Sequence, residues 1–216
     1  MPGISKMNPG QLPLDEQIAY FREMLEHNTT LIEVLKRAAT LDLPGWYLAA
    51  GCISQTIWNV LTGKPPASGI ADYDLIYCDT SDLSWEAEDV VIRAGADLFA
   101  DLGVEVQIRN QARVHLWYEK LFGVKGPQPF TSTEAAIDTW VTGSAQHGVR
   151  LMDGGSWKIY APRGLSDVFN MVVRPVPVLG SRQAYEKKVS RWLTVWPGLT
   201  VMPWPEEMRD AEGQTK

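Results

Sequence analysis

Cysteine is nearly absent: Cys52 and Cys78 are the only two in 216 residues, far apart and each inside an apolar stretch. They form neither a disulfide framework nor a CxxC metal pattern, which points to a reducing compartment. Histidine is scarce as well. His27, His115 and His147 lack ligand spacing, which argues against a zinc centre. No apolar run approaches the length of a membrane span, and the opening stretch MPGISKMNPGQLPLDEQ holds no apolar signal core, so a cytoplasmic protein with no membrane partner is expected. Positive charge is in deficit too. A net charge of −6 disfavours broad binding to extended nucleic acid, although a small local basic groove stays compatible with it. The chain also lacks internal repeats and low-complexity tracts.

What remains is an apolar-rich chain with nine tryptophans, long enough for one domain with a sizeable core. Residues 1–13, rich in proline and glycine, read as an extended lead-in, and 201–216 as a frayed tail. Between them, 14–200 reads as one domain: helices over 14–43, a core over 45–125 and an α/β extension over 130–200. Leu14, Ile18, Phe21 and Leu25 recur at helical spacing, and Thr30 with Glu33 forms a capping box for a second helix. WYLAA reads as a buried strand and GCISQTIWNVLTG as a helix ended by Gly63. YDLIYC and VEVQIRN are strands, joined by a helix that Ser84 caps. Thr131 with Glu134 makes a second capping box. VRLMDGGSWKIYAP is a hairpin about an Asp-Gly turn. A short helix over 165–170 and a last one over 182–192 follow, with YEKKVSRW read as a solvated helix face. His115 reads as a strand histidine, and the segment LFGVKGPQPF as a lid or a partner surface.

Chemistry concentrates in ADYDLIYCD. Alternate residues of a strand share a face, so Asp72 and Asp74 lie side by side, where both can reach one divalent ion. Magnesium favours such hard oxygen ligands and completes its shell with water and substrate phosphate. Taken alone, the pair reads more readily as a solvated strand edge. Asp79 falls on the other face and begins a turn. Upstream, Gly51 lies where a strand runs straight into a helix, letting backbone approach a phosphate at the helix N-terminus, with Ser54 as a further donor. Glu105 is the candidate third acid, able to complete a two-metal site and to act as a base; Asn110 and Gln111 are its alternatives. Arg109 and Arg113 can pair with triphosphate oxygens or with neighbouring acids. Trp140 and Trp157 are read as core before base-binding cleft.

The order strand, glycine turn, helix, then a strand with D-x-D resembles the polymerase-β-type nucleotidyltransferase superfamily. More closely, WYLAAGCISQTIWNVLTG, DYDLIYCD, RNQARVHLW, TSTEAAIDTW, HGVRL, GLSDVFNMVVRP and WLTVWPGL are similar, in order over about residues 30–200, to a family of bacterial nucleotidyltransferase-like proteins. The resemblance implies an α+β fold, with a mixed β-sheet flanked by helices. It places Gly51, Cys52 and Ser54 in the nucleotide-binding turn and Asp72 and Asp74 at the metal. Two positions depart from the pattern: Cys52 stands where the superfamily has Gly or Ser, and Ser54 where a basic residue is expected.

The implied activity is transfer of a nucleoside monophosphate from an NTP to a hydroxyl acceptor, with Mg²⁺ or Mn²⁺ as cofactor and pyrophosphate released. The acidic chain favours a small molecule or a protein side chain as acceptor. A catalytically degenerate member that binds nucleotide or a partner is the second reading. Nucleotide-sugar transfer ranks third, because too little chain precedes Asp72 for a Rossmann-like half.

Overall fold

In a computed structural model of the chain, residues 8–205 are described. The elements in order are α1 (Leu14–Glu26), α2 (Thr29–Ala39), β1 (Tyr47–Ala49), α3 (Gly51–Leu61), β2 (Asp72–Tyr77), α4 (Trp85–Phe99), β3 (Glu105–Asn110), α5 (Val114–Phe122), α6 (Thr133–Ile137), β4 (Gly148–Leu151), β5 (Trp157–Tyr160), α7 (Ser166–Phe169), β6 (Val172–Val173), α8 (Arg182–Val195) and β7 (Thr200–Val201). Five strands make a mixed sheet in the order β3-β2-β1-β4-β5. Only β2 and β3 run parallel, because α4 carries the chain back between them; the other neighbours are antiparallel. A parallel pair, β6 and β7, stands apart. This is the expected α+β architecture, a mixed sheet flanked by helices.

The strands alternate as their composition demands. One sheet face presents Leu48, Tyr73, Leu75, Tyr77, Ile108 and Val149 to the main core. Helices α1 to α4 complete that core, and Trp58 meets the rings of Trp192 and Trp196 edge-on at 5.1 and 5.5 Å. Helix α4 comes so close to β3 that a Cβ at Gly95 would overlap the Ile108 side chain, which accounts for a glycine in mid-helix. The opposite face carries Tyr47, Ala49 and Ile76 in a smaller cluster with Ile137. That face also bears the two acids.

Several local expectations shift by a residue or a face. Asn28, not Thr30, caps α2 by accepting from the Leu31 N–H, and Glu33 instead pairs with Arg37 at 2.9 Å. Ser132, not Thr131, caps α6, while Glu134 accepts from the Tyr47 hydroxyl and from Lys158. In α1, Leu14 and Ile18 are exposed and Gln17 is buried in their place, its amide donating to the Leu12 carbonyl and to Ser166. Pro9–Gln11 form a 3-10 turn inside the expected lead-in, and Trp204 is buried inside the expected tail. The frayed end expected over PEEMRDAEGQTK otherwise lies outside the described residues. Ser84 caps α4 and the Asp-Gly hairpin joins β4 to β5, as read. No helix among the described residues is long and apolar enough to cross a membrane.

Candidate active site

The site lies where β1 hands over to α3. Ala49 pairs with Asp74 across the sheet, and Asp74 with Gln107, so the second face brings Asp74, Ile76 and Arg109 together beside the turn at Ala50 and Gly51. Ala50 holds that turn at φ 62°, ψ −137°, a conformation side chains rarely adopt. No side chain caps α3, which leaves its first N–H groups to the dipole end of the helix. Replacing Ala50 by Gly is expected to stabilise the chain by about 1 kcal/mol through relief of this strain, seen as a higher denaturation midpoint at unchanged slope.

A cleft of about 680 Å³ opens over this face. Its polar end holds Asp74, Arg109 and Gln111 from the sheet side and Lys187 and Lys188 from α8. Its apolar lining comes from Val114, Trp117, Tyr118 and Leu121 of α5 and from Trp140. The segment LFGVKGPQPF, read from the sequence as a lid or partner surface, begins in the last turn of α5 and supplies Phe122, Val124 and Phe130 to that lining. The volume fits a drug- or nucleotide-sized ligand.

Asp72 and Asp74 share the sheet face two residues apart, both half-buried. Burial, reinforced by the like charge of Asp72, pushes the Asp74 carboxyl up to about 6, and Lys188, Arg109 and Arg191 pull against that rise. Burial lowers the Lys188 ammonium, and the charges of Asp74 and Asp72 draw it back up. The side chain of Lys188 runs over the Trp192 ring, 5.2 Å from its centroid. The lysine that the sequence pattern assigned to a solvated helix face therefore lines the cleft. Its signal was available: Lys188 follows Tyr185 at i+3 and precedes Trp192 at i+4, on the stripe that faces inward.

The other expected site residues part company. Cys52 and Ser54 are fully buried; their side chains donate to the Ala49 and Gly51 carbonyls and turn away from the cleft. Position 54 thus offers nothing to phosphate beyond its backbone. Glu105 stands next to Asp72 in register on the edge strand, but it is exposed and accepts a hydrogen bond from Gln107 at 2.7 Å. Among the described residues no group of three or more His, Cys, Asp or Glu side chains is placed to hold a metal ion, so Glu105 is not gathered to the aspartate pair. Arg113 is not a free cation. The chain leaves β3 through a 3-10 turn that tucks Arg113 beneath α4, where it pairs with Glu88, both buried at 8% and 2% exposure. Asn110 is structural, accepting from the Asp79 and Ala112 N–H groups and donating to the Asp79 carbonyl, whereas Gln111 faces the cleft. His115 is in α5, not in a strand. Asp79 starts a turn as expected, accepting from the Ser81 N–H at 2.8 Å. Of the two tryptophans weighed for a base-binding cleft, Trp140 lines it, while Trp157 lies under Arg22.

No curated protein matches this chain. A solved structure described as revealing a CCA-adding enzyme head domain shares the fold at a TM-score of 0.70 and 23% identity, spanning 91% of this chain and 100% of that one. A family model described as nucleotidyltransferase matches residues 36–201, a stretch that contains the Ala50–Gly51 turn, both aspartates and Lys188. Strand-to-helix turn, acid pair and cleft thus fall inside one matched unit, and the chain belongs to the nucleotidyltransferase family.

Proposed function

We propose that the chain is a divalent-metal-dependent nucleotidyltransferase that moves a nucleoside monophosphate from an NTP to a hydroxyl acceptor and releases pyrophosphate. The observation that carries this reading is the cleft in which the acid pair's Asp74 faces Arg109, Lys187 and Lys188. Two like-charged carboxylates, one held near pH 6 by burial, form a donor set that gains from a shared cation, and their hard oxygens suit Mg²⁺ or Mn²⁺. Bound by Asp72 and Asp74, such an ion would supply Lewis-acid neutralisation of phosphate charge.

The protein's own groups do the rest. Arg109 and Lys188 pair with the phosphates and take up the charge that builds on the leaving pyrophosphate. The open N–H groups at Gly51 face the same phosphates. Trp117, Tyr118 and Trp140 offer ring faces to the base, and the apolar wall keeps water from the reacting phosphorus. Lys188 also answers the departure at position 54: the cation missing from α3 arrives from α8. Lys188→Met, which keeps the stem over Trp192, is expected to weaken NTP binding about tenfold with an unchanged melting temperature, whereas Lys188→Arg retains most of the affinity. Titration of labelled NTP into each variant checks this.

Transfer itself is tested with α-labelled NTPs and Mg²⁺ or Mn²⁺, following pyrophosphate release and label arriving on the protein, on other proteins or on small molecules. Turnover that vanishes in Asp72→Ala and Asp74→Ala supports the reading. Saturable NTP binding without turnover supports the second reading, a binding protein on the same fold. The specific observation favouring that second reading is that Glu105 does not join the pair.

A further inference from the structure

Helix α5 separates two hollows. Behind the main cleft lies a second groove of about 470 Å³, lined by Trp85, Glu88, Arg109, Arg113, Trp117, Lys120 and Leu121. Arg109, Trp117 and Leu121 line both, so they form the partition between them. Glu88 and Arg113 neutralise each other as a buried pair. The groove also holds the cation Lys120, with Arg109 on the wall it shares with the main cleft. It also has a prepared platform. The Arg113 guanidinium lies 5.5 Å from the centroid of the Trp85 ring, while 54% of Trp85 stays open to solvent. A large aromatic ring braced from one side and bare on the other is costly to leave in water and suits a flat partner.

We infer that this second groove binds a nucleotide apart from the main cleft, its base stacked on Trp85 and its phosphate held by Lys120. A flat π surface beside a cation is the chemistry of nucleotide recognition without base-edge readout. The groove is large enough for one or two nucleotides, so a free nucleotide and the end of a short RNA share the same recognition chemistry. The binding stands on the groove alone and needs no transfer in the main cleft.

The test titrates AMP and a six-nucleotide RNA into the intact chain in EDTA, and labelled NTP with Mg²⁺ separately, for wild type, Trp85→Ala and Lys120→Glu. Trp85→Ala is expected to weaken AMP binding, RNA binding or both about tenfold, Lys120→Glu to weaken the same ligand, and neither to alter Mg²⁺–NTP affinity. A Trp85-dependent loss for AMP assigns the free nucleotide as occupant; a loss for RNA alone assigns the RNA end. No binding of either ligand, binding indifferent to both substitutions, or simple competition between AMP and NTP for one site overturns the inference. Because turnover is not the readout, a groove that binds beside a chain that never transfers label would break the transfer reading and leave the groove standing.

Discussion

Asp74→Asn is expected to lower nucleotidyl transfer by about 10²–10³-fold or more and, at the same time, to make the metal-free chain harder to unfold above neutral pH. The two effects have one cause. Burial and the neighbouring charge of Asp72 raise the Asp74 carboxyl from 3.8 to about 6 in the folded chain. The folded state therefore holds this proton more tightly than the unfolded state does. Linkage then requires stability to fall as pH rises from about 4 through about 6, and the loss persists at higher pH. An amide carries no charge to desolvate, so the substitution recovers about 1–3 kcal/mol at pH 8, allowing for the partial solvent access of the side chain. Below about pH 4 the two proteins should converge. Denaturant melts of both proteins in EDTA at pH 4, 6 and 8 check the sign. A variant that is less stable than wild type at pH 8 would contradict the charge-strained site. Such a gain in stability with loss of activity is what a site built to hold a cation between repelling acids should show.

The second large effect concerns Arg113, which the sequence left open between triphosphate oxygens and a neighbouring acid. Arg113→Met is expected to destabilise the chain by about 3–5 kcal/mol, because it leaves the Glu88 carboxylate buried without a counter-ion. Glu88 also accepts from the Asn110 N–H at 2.8 Å, so the damage reaches the end of β3. The double variant Arg113→Met with Glu88→Met should recover most of the loss, since two apolar side chains need no partner. Thermal melts of the two singles and the double decide this. A single Arg113→Met protein that melts like wild type but binds NTP weakly would reverse the assignment and return Arg113 to the cleft.

These cases show what the sequence could carry. Strands β1 to β3 and helix α3 were readable because their apolar residues recur with one period and end at turn residues such as Gly63. The acid pair was readable for the same reason, since strand alternation alone puts Asp72 and Asp74 on one face. Helix α5 was not, because VHLWYEKLF buries Val114 yet leaves Leu116, Leu121 and Phe122 exposed, so no single stripe announces a helix. Caps slipped where two competent oxygens stand close in the chain, as with Asn28 and Thr30 or Thr131 and Ser132, and only the turn geometry chooses between them. The partners of Arg113 and Lys188 lie on other elements. Periodicity names the face a residue occupies, not what the fold brings to it. That is why the alternation of VEVQI left Glu105 open between ligand and exposed strand polarity, and why Lys188 looked like surface.

The central claim is that Asp72 and Asp74 share a cation at the phosphate end of the cleft. It is tested most directly by soaking crystals with Mn²⁺ and a triphosphate that cannot be cleaved between its α and β phosphates, then collecting anomalous data at the manganese edge. A manganese peak is expected within ligand distance of both carboxylates, with the triphosphate running from the Gly51 turn towards Arg109 and Lys188. A triphosphate bound elsewhere, or a metal held by neither aspartate, would contradict it.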